Sequence, residues 1–261
     1  MNKIVTYAQY QFKVNTRYKM NNIFSIMSTF VAILVQFYVW KYVEQVKNIN
    51  TNIISIYILF ALTFSILSPI FSSADFISSK ILKGDIAILL QRPQSLLYMN
   101  LGIQYGHVLY RLCYRVLPIW LLYLIFFYKS ISCWNISRFS IFIILSFIIS
   151  WFLSFILGYI IGFLSIRLIS INGLKSLVSG LLLLFGGGLL PIDLYPEPLQ
   201  QIVLFTPFAS ISYYPVAMIS GIDTFDVFTA IQIQLFWLLV FFIVLLMVHK
   251  NIYKKIEIMG G

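Results

Sequence analysis

The stretch FGGGLLPIDLYPEPLQQ, Phe185 to Gln201, interrupts a chain that reads as apolar on both sides of it. Three glycines run together, Gly186 to Gly188, and Pro191, Pro196 and Pro198 follow within a few residues. Asp193 and Glu197 stand between the prolines. Glycine permits backbone conformations closed to other residues, and proline removes a donor and ends a helix. Two carboxylates also oppose burial in hydrocarbon. This stretch cannot be the middle of a membrane-crossing helix, so its role depends on what the flanking chain does.

The flanking chain crosses a membrane. Of 261 residues, 61% are hydrophobic and 10% charged, with a mean hydropathy of +0.93. A soluble domain carries roughly 25% charged residues. The length suits a single membrane domain of about six helices across residues 1–261. The expected fold class is all-α integral membrane: six transmembrane helices, an N-terminal amphipathic interface helix over residues 1–20, and a re-entrant outer cap before the last span. The formal net charge of +10 reads as topology-setting lysines and arginines in cytoplasmic loops, not as a nucleic-acid surface. Cys113 and Cys133 lack metal-site spacing and read as structural thiols. The first apolar run is long enough to span and no small-residue cleavage site follows it, so no cleavable signal is expected.

Along the chain the expected spans are Ile23–Tyr42, Ile53–Phe71, Val108–Tyr128, Ser140–Ile166, Leu177–Leu190 and Ile231–Val248. The fifth is short for a core of about 30 Å. Between the second and third lies the longest polar stretch, residues 73–100, read as a cytoplasmic loop. Twelve of the lysines and arginines fall on one side, among them Lys3, Lys80, Lys83, Arg92, Arg167, Lys175 and Lys250. Only Lys41, Lys47, Lys129 and Arg138 fall on the other. Both termini are therefore expected in the cytoplasm, with the loops at Asn48 and Asn135 outside.

That orientation places the opening stretch. Residues 186–229 lie outside or in the outer leaflet, carry no Lys or Arg, and contain Asp193, Glu197, Asp223 and Asp226. Large apolar residues and further prolines, Pro207 and Pro215, accompany them. Short helices bounded by proline, dipping back into the interface, satisfy both facts, because irregular backbone at membrane depth survives only against protein or a wet cavity. Pro191, Asp193, Pro196, Phe205, Pro207, Phe208 and Tyr214 are the candidate outer-gate residues, with Phe205, Phe208 and Tyr214 as plugs.

No catalytic set is legible. His107 and His249 are far apart and have no acidic neighbour, and the phosphate-cradling G-x-x-x-x-G-K-[ST] is missing; GLKSLVSG at Gly173 has the wrong order. No cofactor or metal site is expected in this chain. KILKGDIAILLQRPQSLLY, Lys80 to Tyr98, is more informative. Gly84 breaks, Asp85 caps, and a short helix follows until Pro93 restricts Arg92. Its apolar side, Ile86, Leu89 and Leu90, reads as exposed and ready to dock a cytoplasmic partner. His107, Arg111 and Arg115 recur every four residues and share one helix face. They are candidates for an inner vestibule, although snorkelling of both arginines to the headgroups is the simpler reading. Gly158 and Gly162 in ILGYIIGFL form a G-x-x-x-G that allows close helix packing within or between subunits.

Taken in order, these pieces resemble the membrane subunits of ATP-binding-cassette type-2 exporters, more narrowly the viologen- and multidrug-exporter-like permeases. KGDIAILLQRP looks like that family's loop after the second span. LPIDLYPEPLQQIVLFTPFASISYYPVAMISG is similar to its cap, and YKKIEIMGG to its basic, GG-ended terminus. The resemblance implies a permease of the bacterial cytoplasmic membrane. It implies that Gly84, Asp85, Ile86, Leu89, Leu90, Arg92 and Pro93 form a coupling helix on a separate nucleotide-binding ATPase, which binds ATP and Mg. A second permease, identical or related, would complete the pathway. The apolar, aromatic interior suggests an amphiphilic substrate: a drug, antibiotic or hydrophobic peptide. A secondary transporter would want acids or an internal repeat near the midplane, and a lipid-acting enzyme a His or acid cluster at one face. Neither pattern is present in the sequence.

Overall fold

The computed structural model describes residues 3–17, 19–47, 51–86, 89, 95–127, 141–168, 170–188, 191–221 and 226–259, and among these it contains helices and no strand. Helix α1 (Lys3–Thr16) is the expected amphipathic element. It packs along α5 (Leu96–Arg111). Glycines bring the two backbones together. A Cβ at Gly102 would lie 2.9 Å from the Ile4 carbonyl oxygen, and one at Gly106 would run into that of Ala8. Ala8 is buried in this contact, while Lys3, Tyr10, Lys13 and Arg17 face outward.

After α2 (Lys19–Lys47), helices α3 (Thr51–Leu67) and α4 (Ile70–Leu82) form one apolar stretch broken at Ser68–Pro69. Helix therefore continues past Phe71, the expected end of the second span. This also corrects the expected loop over 73–100, whose described residues are largely helical. Two polar residues of that stretch, Ser73 and Asn100, are satisfied inside the protein together with Ser72 and Gln104 beside it. Asn100 Nδ2 donates to Ser73 Oγ at 2.7 Å, Gln104 Nε2 to Asn100 Oδ1 at 2.8 Å, and Ser72 Oγ to Gln104 Oε1 at 2.6 Å. Ser73, Asn100 and Gln104 are completely buried. Lipid is as apolar as leucine, so hydrogen bonds and close packing of this kind hold membrane helices together. The G-x-x-x-G of α7 (Ile141–Leu164) supplies the packing. A Cβ at Gly162 would lie 2.6 Å from Ile77 Cβ, and one at Gly158 would strike the Ile70 carbonyl. That motif therefore joins α7 to α4 within this chain.

The helix that carries the third span starts at Leu96, well before Val108, and continues through a π-helical turn (Leu112–Val116) into α6 (Leu117–Phe126). Pro118 explains the turn. Its ring would clash with the carbonyl four residues back, and a wider turn relieves the clash. Accordingly, Leu117 N bonds the Leu112 carbonyl, five residues back. The same device recurs at Ala209–Tyr213 ahead of Pro215.

Helix α8 (Asn172–Phe185) has 14 residues, about 21 Å of rise. It stops at the glycines, short of the expected Leu190. Gly187 sits at φ +71, a conformation glycine adopts without strain, and Tyr57 Oη donates to its carbonyl at 2.8 Å. The chain then makes a 3-10 turn (Ile192–Leu194), helix α9 (Glu197–Leu204), the π turn and helix α10 (Tyr214–Ser220). The α9 arm and the Ala209–Ser220 arm meet at 79°. All of α10 is buried, largely against α3 and α7. Pro215 cannot donate, and the carbonyl five residues behind it, Ser210 O, is instead taken by Ser150 Oγ at 2.9 Å and Gln234 Nε2 at 3.0 Å. Helix α11 (Val227–Met259) begins four residues before the expected Ile231, because Asp226 caps it: Oδ2 accepts from Thr229 N and Oγ1 at 3.1 and 3.0 Å. Among the described residues five helices are long and apolar enough to cross a membrane, or six with the bent pair as one. The all-α membrane fold is as expected.

Candidate functional site

The hairpin made by α4 and α5 is the first functional element. Gly84 closes α4 at φ +76 with open space around it, as a left-handed helix end requires. Lys80 Nζ pairs with Asp85 Oδ2 at 3.1 Å. Of the apolar side expected to be exposed after this turn, Ile86 is buried instead. Ile86 is 7% exposed and packs in a cluster with Ile77, Leu96, Tyr159, Phe163 and Leu245, and Leu89 leans on the same cluster. These residues anchor the hairpin tip to its own helices, which is where an apolar side chain next to α7 and α11 finds contacts. Leu90, Arg92 and Pro93 lie outside the described residues, as do the loops at Asn48 and Asn135.

On the His107, Arg111 and Arg115 face, each side chain meets a group of the chain itself. Asn15 Nδ2 donates to His107 Nδ1 at 2.8 Å, tying α1 to α5. Arg111 Nη1 donates to the Ile66 and Ser68 carbonyls at 3.0 and 3.2 Å. Those carbonyls are exposed by the α3–α4 break, and a cation at a helix C-terminus is favoured by the helix dipole. The expected snorkelling of Arg111 is therefore replaced by a clamp across the break. Arg115 Nε reaches Asn22 Oδ1 of α2 at 3.3 Å.

The residues expected at an outer gate take separate positions. Pro191 is buried and extended, Asp193 is half-buried in the 3-10 turn, and Pro196 precedes α9 on the surface. Pro207 opens the second arm. Phe205 is 55% exposed beside Phe236 and Trp237, and Trp237 Nε1 donates to its carbonyl at 2.8 Å. Phe208 is half-buried with Phe185 at 6.4 Å. Tyr214 is 2% exposed, within the core, and its Oη donates to Leu204 O at 2.8 Å.

Between these elements lies a cavity of about 240 Å³ bounded by α2, α3, α4, α8 and the turn before α10. Gln36, Ser65, Ser68, Ser179 and Ser212 alternate on its wall with Leu62, Phe64, Phe71, Leu182 and Ile211. No charged side chain lines it. Ser68 Oγ is buried there without a hydrogen-bond partner among the described residues. Such a wall suits an apolar body bearing a few uncharged hydrogen-bonding groups. Just below it, Lys175 Nζ meets Asp75 Oδ1 at 2.7 Å. Sequence reasoning missed Gln36, Ser68 and Asp75. The one available signal was Pro69 inside an apolar run, which marks a break in the span.

The family model described as ABC-2 family transporter protein matches residues 24–260. No curated protein matches the chain.

Proposed function

We propose that this chain, which belongs to the ABC-2 transporter family, exports an amphiphilic molecule carrying uncharged polar groups. Family membership makes it the permease component of an ABC transporter, a multi-pass membrane protein working with an ABC ATPase subunit. The finer reading is ours: export across the bacterial cytoplasmic membrane, both termini cytoplasmic, with a second permease completing the path. ATP and Mg are bound by the ATPase partner, which seats on the Gly84–Pro93 tip.

The uncharged, mixed cavity beside the Ser68–Pro69 break carries this reading. A drug, antibiotic or hydrophobic peptide fits its chemistry; a small ion or sugar acid does not. Motion of the α4–α5 hairpin, locked as one piece by the Ser73–Asn100–Gln104–Ser72 ladder, would reshape the cavity at the break that Arg111 clamps. The cap and its buried α10 close the far end. The test is reconstitution with the ATPase in inside-out vesicles, following ATP-dependent accumulation of an uncharged amphiphilic dye. Ser179→Trp, which fills the cavity, should abolish accumulation while basal ATP hydrolysis continues. Transport unchanged by that substitution would place the path elsewhere, and accumulation of the dye only in the opposite vesicle orientation would make the chain an importer.

A further inference from the structure

Arg115 has a single hydrogen-bond partner among the described residues, Asn22 Oδ1 at 3.3 Å from its Nε. The terminal nitrogens of this half-buried guanidinium find no protein acceptor there. Asn22 is itself buried and committed, since its Nδ2 donates to Tyr110 Oη. The surroundings hold no counter-charge. Residues 1–43 and 95–127 contain no Asp or Glu, and together they carry seven lysines and arginines. His107 and Arg111 stand on the same face as Arg115. A half-buried guanidinium in such a place favours an anion from outside the chain.

We propose that Arg115 holds the phosphodiester of a phospholipid of net negative charge. The position is right for a headgroup. Phe12, near the end of α1, meets Tyr110 and Tyr114 at 6.0 and 6.2 Å, so Arg115 lies where α1 hands over to α2. Exposed Lys13 and Arg17 mark that junction as the level of water and headgroups. Leu112 and Leu117, both exposed, offer acyl chains an apolar wall on the same helix. Guanidinium matches the phosphate group by its planar fork of donors. A zwitterionic lipid would bring an ammonium into a field with no carboxylate to receive it. The site is independent of what the permease transports.

Native mass spectrometry of the full-length, delipidated protein titrated with phosphatidylglycerol tests the assignment. Arg115→Gln should weaken the tightest-bound lipid by about tenfold, whereas Lys3→Gln, which removes the same charge from the outward face of α1, should change it by less than about twofold. Asn22→Asp leaves Arg115 in place and gives it a carboxylate, so it should expel the lipid too; it also covers failure of Arg115→Gln to fold. The proposal is overturned if both variants bind like Lys3→Gln, or if phosphatidylcholine binds as tightly. Displacement of the lipid by millimolar inorganic phosphate would also overturn it, in favour of a soluble-anion site.

Discussion

Lys175 and Asp75, a hundred residues apart in the chain, form an ion pair of 2.7 Å that joins the start of α8 to α4. Ser179 lies one turn beyond Lys175 and Phe71 one turn before Asp75, and both line the cavity. The pair thus bridges the two helices immediately below that space. Asp75 is 57% exposed, so the bridge is worth at most about 1 kcal/mol and is easily opened. Asp75→Lys alone should raise passive dye leak through the reconstituted permease, and the exchange Asp75→Lys with Lys175→Asp should restore it. A leak that the exchange does not lower would show the pair to be incidental.

Arg111 should be a stability residue. Arg111→Gln leaves the Ile66 and Ser68 carbonyls without their donor, at a cost of about 2 kcal/mol. A clear fall in Tm of the isolated chain is expected, together with looser protection of α3 and α4 in hydrogen exchange. A simple snorkelling side chain would move neither.

Two glycines separate packing from propensity. Gly158→Ala forces a methyl group against the Ile70 carbonyl and should cost about 1–3 kcal/mol. Gly180→Ala, in α8 with nothing near its Cβ, should be neutral or stabilising by up to about 1 kcal/mol. Thermal unfolding of the two variants side by side checks the contrast.

The tip of the hairpin makes a further distinction. Ile86→Asp buries a charge in the cluster of Leu96, Phe163 and Leu245, so the variant should lower Tm without any ATPase present. Lys83→Glu, on the exposed side of the same turn, should leave Tm unchanged and weaken co-purification with the ATPase. Equal effects of both on Tm would mean that the tip has no separate docking side.

Asp226 gives a pH dependence. Its bonds from the Thr229 amide and hydroxyl hold the carboxyl below the usual aspartate range. A carboxylate with a lowered folded-state pKa stabilises fully above its unfolded value, near 3.9, and loses that contribution as pH falls through the lower folded value. The Tm difference between wild type and Asp226→Ala should therefore be constant from neutral pH to about pH 5 and shrink below about pH 4. A difference that persists unchanged at low pH would refute capping by the ionised form.

What composition and local chemistry dictate was legible in the sequence: a membrane-embedded all-helical chain, an amphipathic first helix, and a glycine–proline break that ends a helix before the last span. Hydrophobic runs and backbone-restricted residues act over a few positions, so they can be read without knowing what lies opposite. The tertiary structure decided where polar residues go. Ser73 and Asn100 look like a loop in a list and, with Gln104, are a buried ladder in space. Ile86 looks like an exposed anchor and is core, Arg111 looks like a snorkelling cation and clamps a broken helix, and Asp75 finds Lys175 across a hundred residues. A hydrogen bond or ion pair requires its partner within about 3 Å, and only the packing of one helix against another brings that partner there.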